Sequence, residues 1–371
     1  MFSEVSMIIS VPKELKNGET RVALTPDMVK KYKSIGFSVC IESGAGILSG
    51  FNDEAYANVG ATILRSPEEI YNSGDILLKI WAPLPQEFSF LHPKQVLIAN
   101  CQNLPEIKTL AERKITCFAL NLLPRISRAQ SMDILSSQSN LSGYYAVVQA
   151  INLLPRAVPL MMTAAGTVSP ARVLVLGVGV AGLQAIATAK RLGAIVYASD
   201  VRSQVKEQVE SLGAKFLQID SNDNFETSSG YAAETSESYQ EKQNFAVMEQ
   251  LKKTDILITT ALIAGKKAPL LVTKKMLDNM PCGSVVIDMA SENGGNVEGS
   301  QDNLVIDYKG IKILGNSNLA AKVPYSSSTL FANNLYNFIA SQYSTEKQNI
   351  IFNFEDELIR KTCLIKEGEI L

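Results

Sequence analysis

The sequence predicts an α/β chain of two doubly wound, Rossmann-like parallel-sheet domains, joined by long helical crossings with a cleft between them. Three observations carry this. Short apolar runs alternate with helical patterns from end to end, as in a parallel sheet with helices on both faces. At 371 residues the chain is too long for one hydrophobic core and long enough for two. One apolar run, Val173-Leu174-Val175-Leu176, leads directly into Gly177-Val178-Gly179-Val180-Ala181-Gly182, a G-x-G-x-x-G turn between strand and helix.

In order, residues 7–11 read as the first strand, and Thr25-Pro26-Asp27 opens a helix with a cap residue and a proline in its first turn. Strands are expected at 37–41, 61–64, 76–80, 96–99 and 116–120, with helices between them, notably 104–114. A long helical pattern over 132–154 bridges to the glycine-turn domain. There, strands at 173–176, 195–198, 215–219, 256–260, 285–289 and 311–314 accompany a helix over 183–192. A helix at 330–341 and a polar tail end the chain and are expected to pack back on the first domain. The domains are thus 1–136 plus 320–371, and 137–319. Residues 221–243, rich in Ser, Glu and Asn, are long for a connection inside a domain. They read as a surface loop or a mobile lid, and a tyrosine flanked by small residues, Gly230-Tyr231-Ala232-Ala233, favours the lid.

Composition narrows the class. A hydrophobic share of 46%, a charged share of 19% and a net charge of -2 suit an ordinary globular enzyme and give no reason to expect nucleic acid. The five cysteines, Cys40, Cys101, Cys117, Cys282 and Cys363, form no C-x-x-C pair, which fits a reduced cytosolic protein. The single histidine, His92, excludes a histidine-cluster metal site and reads as a surface residue; no metal is expected. The first ten residues lack the marks of a signal peptide. The most apolar stretch, 153–165, is broken by Pro155, Arg156 and Pro159 and is too short to span a bilayer.

The glycine turn carries specific chemistry. Gly177 permits the tight bend, Gly179 lets a pyrophosphate approach the backbone, and Gly182 lets helix pack on strand. The helix N-terminus offers unpaired N–H groups and a partial positive charge to phosphates. Asp200, just after the next strand, accepts both hydroxyls of an adenosine ribose and repels a 2′-phosphate. Strand, turn, helix, strand and acid in this order point to NAD(H).

A second motif is Pro124-Arg125-Ile126-Ser127-Arg128-Ala129-Gln130-Ser131-Met132-Asp133, followed by Ser136 and Ser137. It comes after a strand and opens the bridging helix. Arg125 offers directed donors to a carboxamide, phosphate or carboxylate. Gln130 both donates and accepts, Asp133 is able to pair with Arg125, and Ser136, Ser139, Ser142 and Gly143 allow close approach. Chemistry alone leaves a ligand site and a helix cap with an ordinary ion pair equally open.

This motif, Met161-Met162-Thr163-Ala164-Ala165-Gly166-Thr167, Gly230-Tyr231-Ala232 and Val286-Ile287-Asp288-Met289-Ala290-Ser291-Glu292-Asn293-Gly294-Gly295-Asn296 resemble the NAD(H)-binding subunit of proton-translocating nicotinamide nucleotide transhydrogenases. The resemblance spans nearly the whole chain. It implies that Arg125, Gln130, Asp133 and Ser136 surround the nicotinamide end of NAD(H), that Asp200 holds the ribose, and that Gly230 and Tyr231 ride on a closing loop. The cofactor site is expected to include Val180 and Ala181 in the glycine turn, Val201 and Arg202 beside Asp200, and Thr260, Ala261 and Leu262 after a later strand. It further implies a homodimer that docks an NADP(H)-binding subunit and a membrane-spanning proton-channel subunit. On this basis the chain is a cytoplasmic enzyme subunit, peripheral on the inner face of the membrane and active only with partners. Tyr145 departs from the pattern, which has a basic residue there.

Alanine dehydrogenase is the competing resemblance. Arg21 occupies the position of its substrate-carboxylate arginine, although an ion pair at the domain's first turn accounts for it better. Trp81 stands where its catalytic lysine would be, Gln102 replaces its histidine, and Glu292 replaces its aspartate. Amino-acid oxidation needs a proton acceptor, whereas hydride exchange between two nicotinamides needs only placement. Lys79 reads as a structural lysine at a strand end. A non-enzymatic NAD(H)-sensing module is the third alternative.

Overall fold

Six short aliphatic strands build the first sheet of the computed structural model, which describes residues 7–102, 104, 106–217, 237–262, 266–347 and 349–371. They are β1 (Ile8–Val11), β2 (Ser38–Glu42), β3 (Thr62–Leu64), β4 (Ile76–Trp81), β5 (Val96–Asn100) and β6 (Thr116–Ala119), all parallel, in the order β3-β2-β1-β4-β5-β6. β4, β5 and β6 are buried along almost their whole length, as parallel strands covered on both faces must be. Local chemistry sets the helices between them. Pro26 opens Pro26–Ser34, the Asn52 side chain caps Asp53–Asn58, and Ser66 with Glu69 forms a capping box on Pro67–Ser73. The helix expected at 104–114 is a shorter one, Ile107–Glu112.

The chain divides into two units, one running up to Gln138 and resuming at Ala321, the other Ser139–Ala320. The long helix Ile134–Leu153 leads from the first into the second, preceded by the 3-10 turn Ser127–Met132. An exposed antiparallel hairpin follows, β7 (Met161–Thr163) and β8 (Gly166–Val168), in a stretch where no strand was expected. The second sheet then comprises β9 (Arg172–Leu176), β10 (Ile195–Ser199), β11 (Lys215–Phe216), β12 (Ile256–Thr259), β13 (Val285–Asp288), β14 (Leu304–Tyr308) and β15 (Ile311–Gly315). Its order is β11-β10-β9-β12-β13-β15-β14, parallel except for the antiparallel edge strand β14. The order reverses between β9 and β12, the switch point where open α/β sheets bind ligands.

The last segment corrects the expectation of a polar tail. After the helix Pro324–Ala340 come the small antiparallel pair β16 (Tyr343–Ser344) and β17 (Asn349–Ile350), the helix Glu357–Thr362, and β18 (Cys363–Lys366) with β19 (Glu369–Ile370). β18 joins β6 antiparallel, so the chain's end extends the first sheet and both sheets are mixed at their edges. Alternating burial, with Cys363 and Ile365 inward and Lys366 outward, explains why the segment read as polar. The loop drawn at 221–243 is also shortened: the helix Glu237–Leu251 claims its last residues, a run of good helix formers such as Glu241 and Lys242. Residues 218–236 lie outside the described residues, including the end of the strand expected at 215–219.

Candidate functional site

In the second unit, β9 ends at Leu176 and Gly177 turns the chain with φ +93°. Gly179 is the N-cap of the helix Val180–Arg191, and a Cβ added there would meet nothing within 4 Å. That open face is what a pyrophosphate needs. The first intrahelical bond runs from the Leu183 N–H to the Gly179 carbonyl at 2.9 Å, so the N–H groups of Val180, Ala181 and Gly182 precede it. Gly182 is required by packing: a Cβ there would lie 2.0 Å from the Gly177 carbonyl oxygen. Gly143, on the long helix, is equally constrained, with the Ala181 carbonyl oxygen 2.1 Å from where its Cβ would sit. Tyr145, the departure from the family pattern, packs against the apolar core of this unit.

Asp200 follows β10 and is 8% exposed. Its Oδ2 accepts from the Val178 N–H at 2.7 Å, tying the acid to the glycine turn. Arg202 also reaches this carboxylate, through its backbone N–H and its guanidinium. Across the switch point, Thr260 Oγ1 donates to the Gly177 carbonyl at 2.8 Å, placing Thr260, Ala261 and Leu262 beside the turn. Gly230 and Tyr231 lie outside the described residues.

Two residues to which no motif assigned a role hold this corner together. Asp288, at the end of β13, accepts from the backbone N–H groups of Ala290, Asn296 and Val297 and from Thr259 Oγ1. Asn296, fully buried, accepts from the Ala261 N–H at 3.0 Å and donates to the Ala261 and Pro269 carbonyls at 2.9 and 2.8 Å. The signal for them was a polar residue closing a buried strand, followed by Gly294-Gly295-Asn296.

In the first unit, Arg125 and Gln130 are exposed, and Asp133 and Ser136 are half-buried. Gln130 sits in the turn Ser127–Met132, which Ala129 and Met132 anchor in the core. The Asp133 carboxylate accepts from the Ser136 N–H at 2.9 Å and from Ser136 Oγ at 2.5 Å, so these two side chains are one unit at the start of the long helix. Arg128 makes the ion pair of this segment, with Asp356.

The positions that separate the two resemblances are also explicit. Arg21, 5% exposed, donates through Nε and Nη2 to both oxygens of Glu19, at 2.8 and 2.7 Å, and through Nη1 to Gln138 at 2.8 Å. Burial opposes ionisation of Glu19, but hydrogen bonds and charge from Arg21 prevail and hold its carboxyl down to about 2. Trp81 Nε1 donates to the same carboxylate at 2.6 Å, with Lys16 Nζ 3.7 Å above its ring. Arg21 is therefore the ion pair expected of a structural residue. Lys79 lies inside β4 rather than at its end, 1% exposed, between Glu87 at 3.0 Å and Glu14 at 3.5 Å. Gln102 is exposed after β5, and Glu292 is exposed in the turn Ser291–Asn293. His92 is half-buried rather than a surface residue, because its loop folds the Nε2 edge out of solvent. The five cysteines are free thiols. Among the described residues no helix is long and apolar enough to cross a membrane.

Residues 10–142 match the family model "Alanine dehydrogenase/PNT, N-terminal domain", and residues 146–371 match "Alanine dehydrogenase/PNT, C-terminal domain". The chain is 47% identical to the first of the polypeptides that make up NAD(P) transhydrogenase subunit alpha in Rhodospirillum rubrum, over 98% of each. The crystal structure of transhydrogenase from Sinorhizobium meliloti superposes with a TM-score of 0.90 at 44% identity, covering 98% of this chain and 100% of that one. Alanine dehydrogenase of Bacillus subtilis is 30% identical over 88% of this chain and 83% of its own.

Proposed function

The chain belongs to the alanine dehydrogenase/PNT family, and from that membership we propose that it is the NAD(H)-binding subunit of a proton-translocating transhydrogenase. The observation that carries this reading is the 47% identity to a transhydrogenase subunit across both domains, against 30% to an alanine dehydrogenase. In this role the glycine turn, with Val180 and Ala181, cradles the pyrophosphate. Asp200, Val201 and Arg202 receive the adenosine ribose, and Thr260, Ala261 and Leu262 line the route toward the nicotinamide. Arg125, Gln130, Asp133 and Ser136 orient the nicotinamide end, and Gly230 with Tyr231 closes over it.

The reaction moves one hydride, with its electron pair, from C4 of the dihydronicotinamide of NADH to C4 of the oxidised nicotinamide of NADP⁺ on a partner subunit. No proton passes to or from this chain, so no general base is required. Placement of the two rings is the whole task. The loss of acid–base groups at Trp81 and Gln102 is consistent with this, as is the engagement of Arg21 by Glu19. The active form is a homodimer on the cytoplasmic face of the membrane, docked to an NADP(H)-binding subunit and a membrane subunit that conducts the coupled protons.

The test is reconstitution with an NADP(H)-binding partner and an assay of hydride exchange between the two nucleotides. Gln130→Ala should slow exchange on the order of 100-fold while most NADH affinity remains, since the adenosine contacts persist. Wild-type exchange in that variant would remove Gln130 from the site. Incubation of the chain alone with NAD⁺ and L-alanine should give no NADH; sustained NADH formation would establish the amino-acid dehydrogenase instead. Nucleotide binding without exchange in any reconstituted complex would leave the NAD(H)-sensing module.

A further inference from the structure

The Asp200 carboxylate is fully subscribed within the chain. Oδ1 accepts from the backbone N–H of Arg202 and from its Nε, both at 2.9 Å. Oδ2 accepts from the Val178 N–H at 2.7 Å and from Arg202 Nη2 at 2.9 Å. An ionised carboxylate offers about four acceptor positions, and these contacts fill them. The four donors differ in kind. Two are backbone N–H groups, fixed by the glycine turn and by the turn after β10. The other two belong to one guanidinium on a long side chain, which is 17% exposed and also reaches the Val178 carbonyl at 3.1 Å.

We infer that Arg202 is an internal competitor of the adenosine ribose for Asp200, and that Asp200 in turn silences Arg202 toward a 2′-phosphate. The inference rests on the proposed NAD(H) site and adds the device that sets its affinity and selectivity. If the guanidinium leaves, each carboxylate oxygen keeps one backbone donor and regains one acceptor position. Two oriented acceptors then face the vicinal 2′- and 3′-hydroxyls, each a donor. The backbone contacts pre-aim the carboxylate, and the forked side chain is the part a ribose must displace. The converse concerns charge. A 2′-phosphate brings roughly two negative charges and three acceptor oxygens, and a guanidinium is its natural partner. While Arg202 lies across Asp200 its charge is neutralised and its fork is occupied, so NADPH meets the acid without a free cation.

Calorimetric titration of the full chain with NADH and with NADPH tests both halves. Arg202→Ala and the more conservative Arg202→Gln should bind NADH about three- to fivefold more tightly, the gain from removing a partly exposed competing ion pair, and should not gain NADPH. Asp200→Ala, which keeps Arg202, should lose at least about tenfold in NADH affinity and acquire salt-sensitive NADPH binding. Removing both side chains should abolish that NADPH binding. Unchanged or weaker NADH binding in both Arg202 variants overturns the competition. An Asp200→Ala protein that gains no NADPH affinity overturns the silencing. If the wild-type chain binds no NADH, the functional reading falls and this inference with it. Intact wild-type binding with no Arg202 effect sinks the inference alone.

Discussion

Glu14 shows how far one residue's chemistry is set by neighbours distant in sequence. Its side chain is 4% exposed, its Oε1 accepts from the Ile80 N–H at 2.6 Å, and it shares the cation of Lys79 with Glu87. Glu87 also accepts from the Tyr71 hydroxyl at 2.5 Å. Burial pushes the Glu14 carboxyl up to about 7; the Lys79 charge and the Ile80 N–H oppose the shift, while Glu19 and Glu87 add to it. Lys79 is held above its ordinary value: burial works against the cation, but two carboxylates outweigh it. We therefore place the ion pair on Lys79 and Glu87, and the proton on Glu14. Between pH 4.5 and about 7 the unfolded chain has released this proton and the folded chain retains it. The folded state then binds more protons, so Glu14's contribution to stability is full below pH 4.5 and falls as pH rises, by at most about 3 kcal/mol. Glu14→Gln should flatten that decline, read as urea midpoints from pH 4.5 to 8; an unchanged slope would refute the assignment. Lys79 was legible as structural because it interrupts an apolar strand, but its partners were not, since periodicity reports burial and never the contact. Asp200 was legible by its place after a strand. The occupation of its carboxylate by Arg202 is a side-chain geometry that no spacing encodes.

Strands long enough to repeat a pattern were legible, and shorter ones were not. β9 is a run of apolar residues buried from Val173 to Leu176, and its glycine turn follows at once. β7 and β8 have three residues each, too few for an alternation to register, and they sit in a stretch broken by prolines. Their side chains find little cover: Met162 is 80% exposed, Leu160 57% and Met161 45%. A lone two-stranded hairpin is marginal in water, so in the proposed homodimer this arm is the element expected to bury its apolar side chains on the second copy. Met162→Asp should shift the chain toward monomer in sedimentation velocity without changing NADH affinity; an undisturbed dimer would exclude the hairpin from the interface. Gly143 makes a prediction of the opposite kind, about packing inside one unit. Its Cβ would fall 2.1 Å from the Ala181 carbonyl oxygen, a backbone atom that cannot swing aside. Gly143→Ala should therefore cost about 1–3 kcal/mol, seen as a lower unfolding midpoint, and should weaken NADH binding because the displaced backbone belongs to the glycine turn.

Alternating strand and helix signals made the α/β class legible for the whole molecule, because each parallel strand must be followed by a crossover before the next. The candidate nicotinamide residues belong to one unit and the glycine turn to the other, and ligand linkage turns that division into a test. Each unit has its own apolar core: one gathers Ile9, Ile98 and Phe338, the other Val175, Ile258 and Ile287. Two unfolding transitions are therefore expected, and the pH response of Glu14→Gln identifies the one that belongs to the first unit. A ligand at about a hundred times its Kd stabilises what it binds by about 2.7 kcal/mol. ADP, which carries the adenosine ribose and pyrophosphate but no nicotinamide, meets only Asp200 and the glycine turn, so it should raise the second transition alone. NADH adds the ring that Arg125 and Gln130 are proposed to orient, so it should raise both. Arg125→Ala should leave the response to ADP intact and reduce the NADH-induced rise of the first transition. If NADH moved only the second transition in the wild-type chain, the nicotinamide end would not be held by these residues, and the site would have to be sought within the glycine-turn unit.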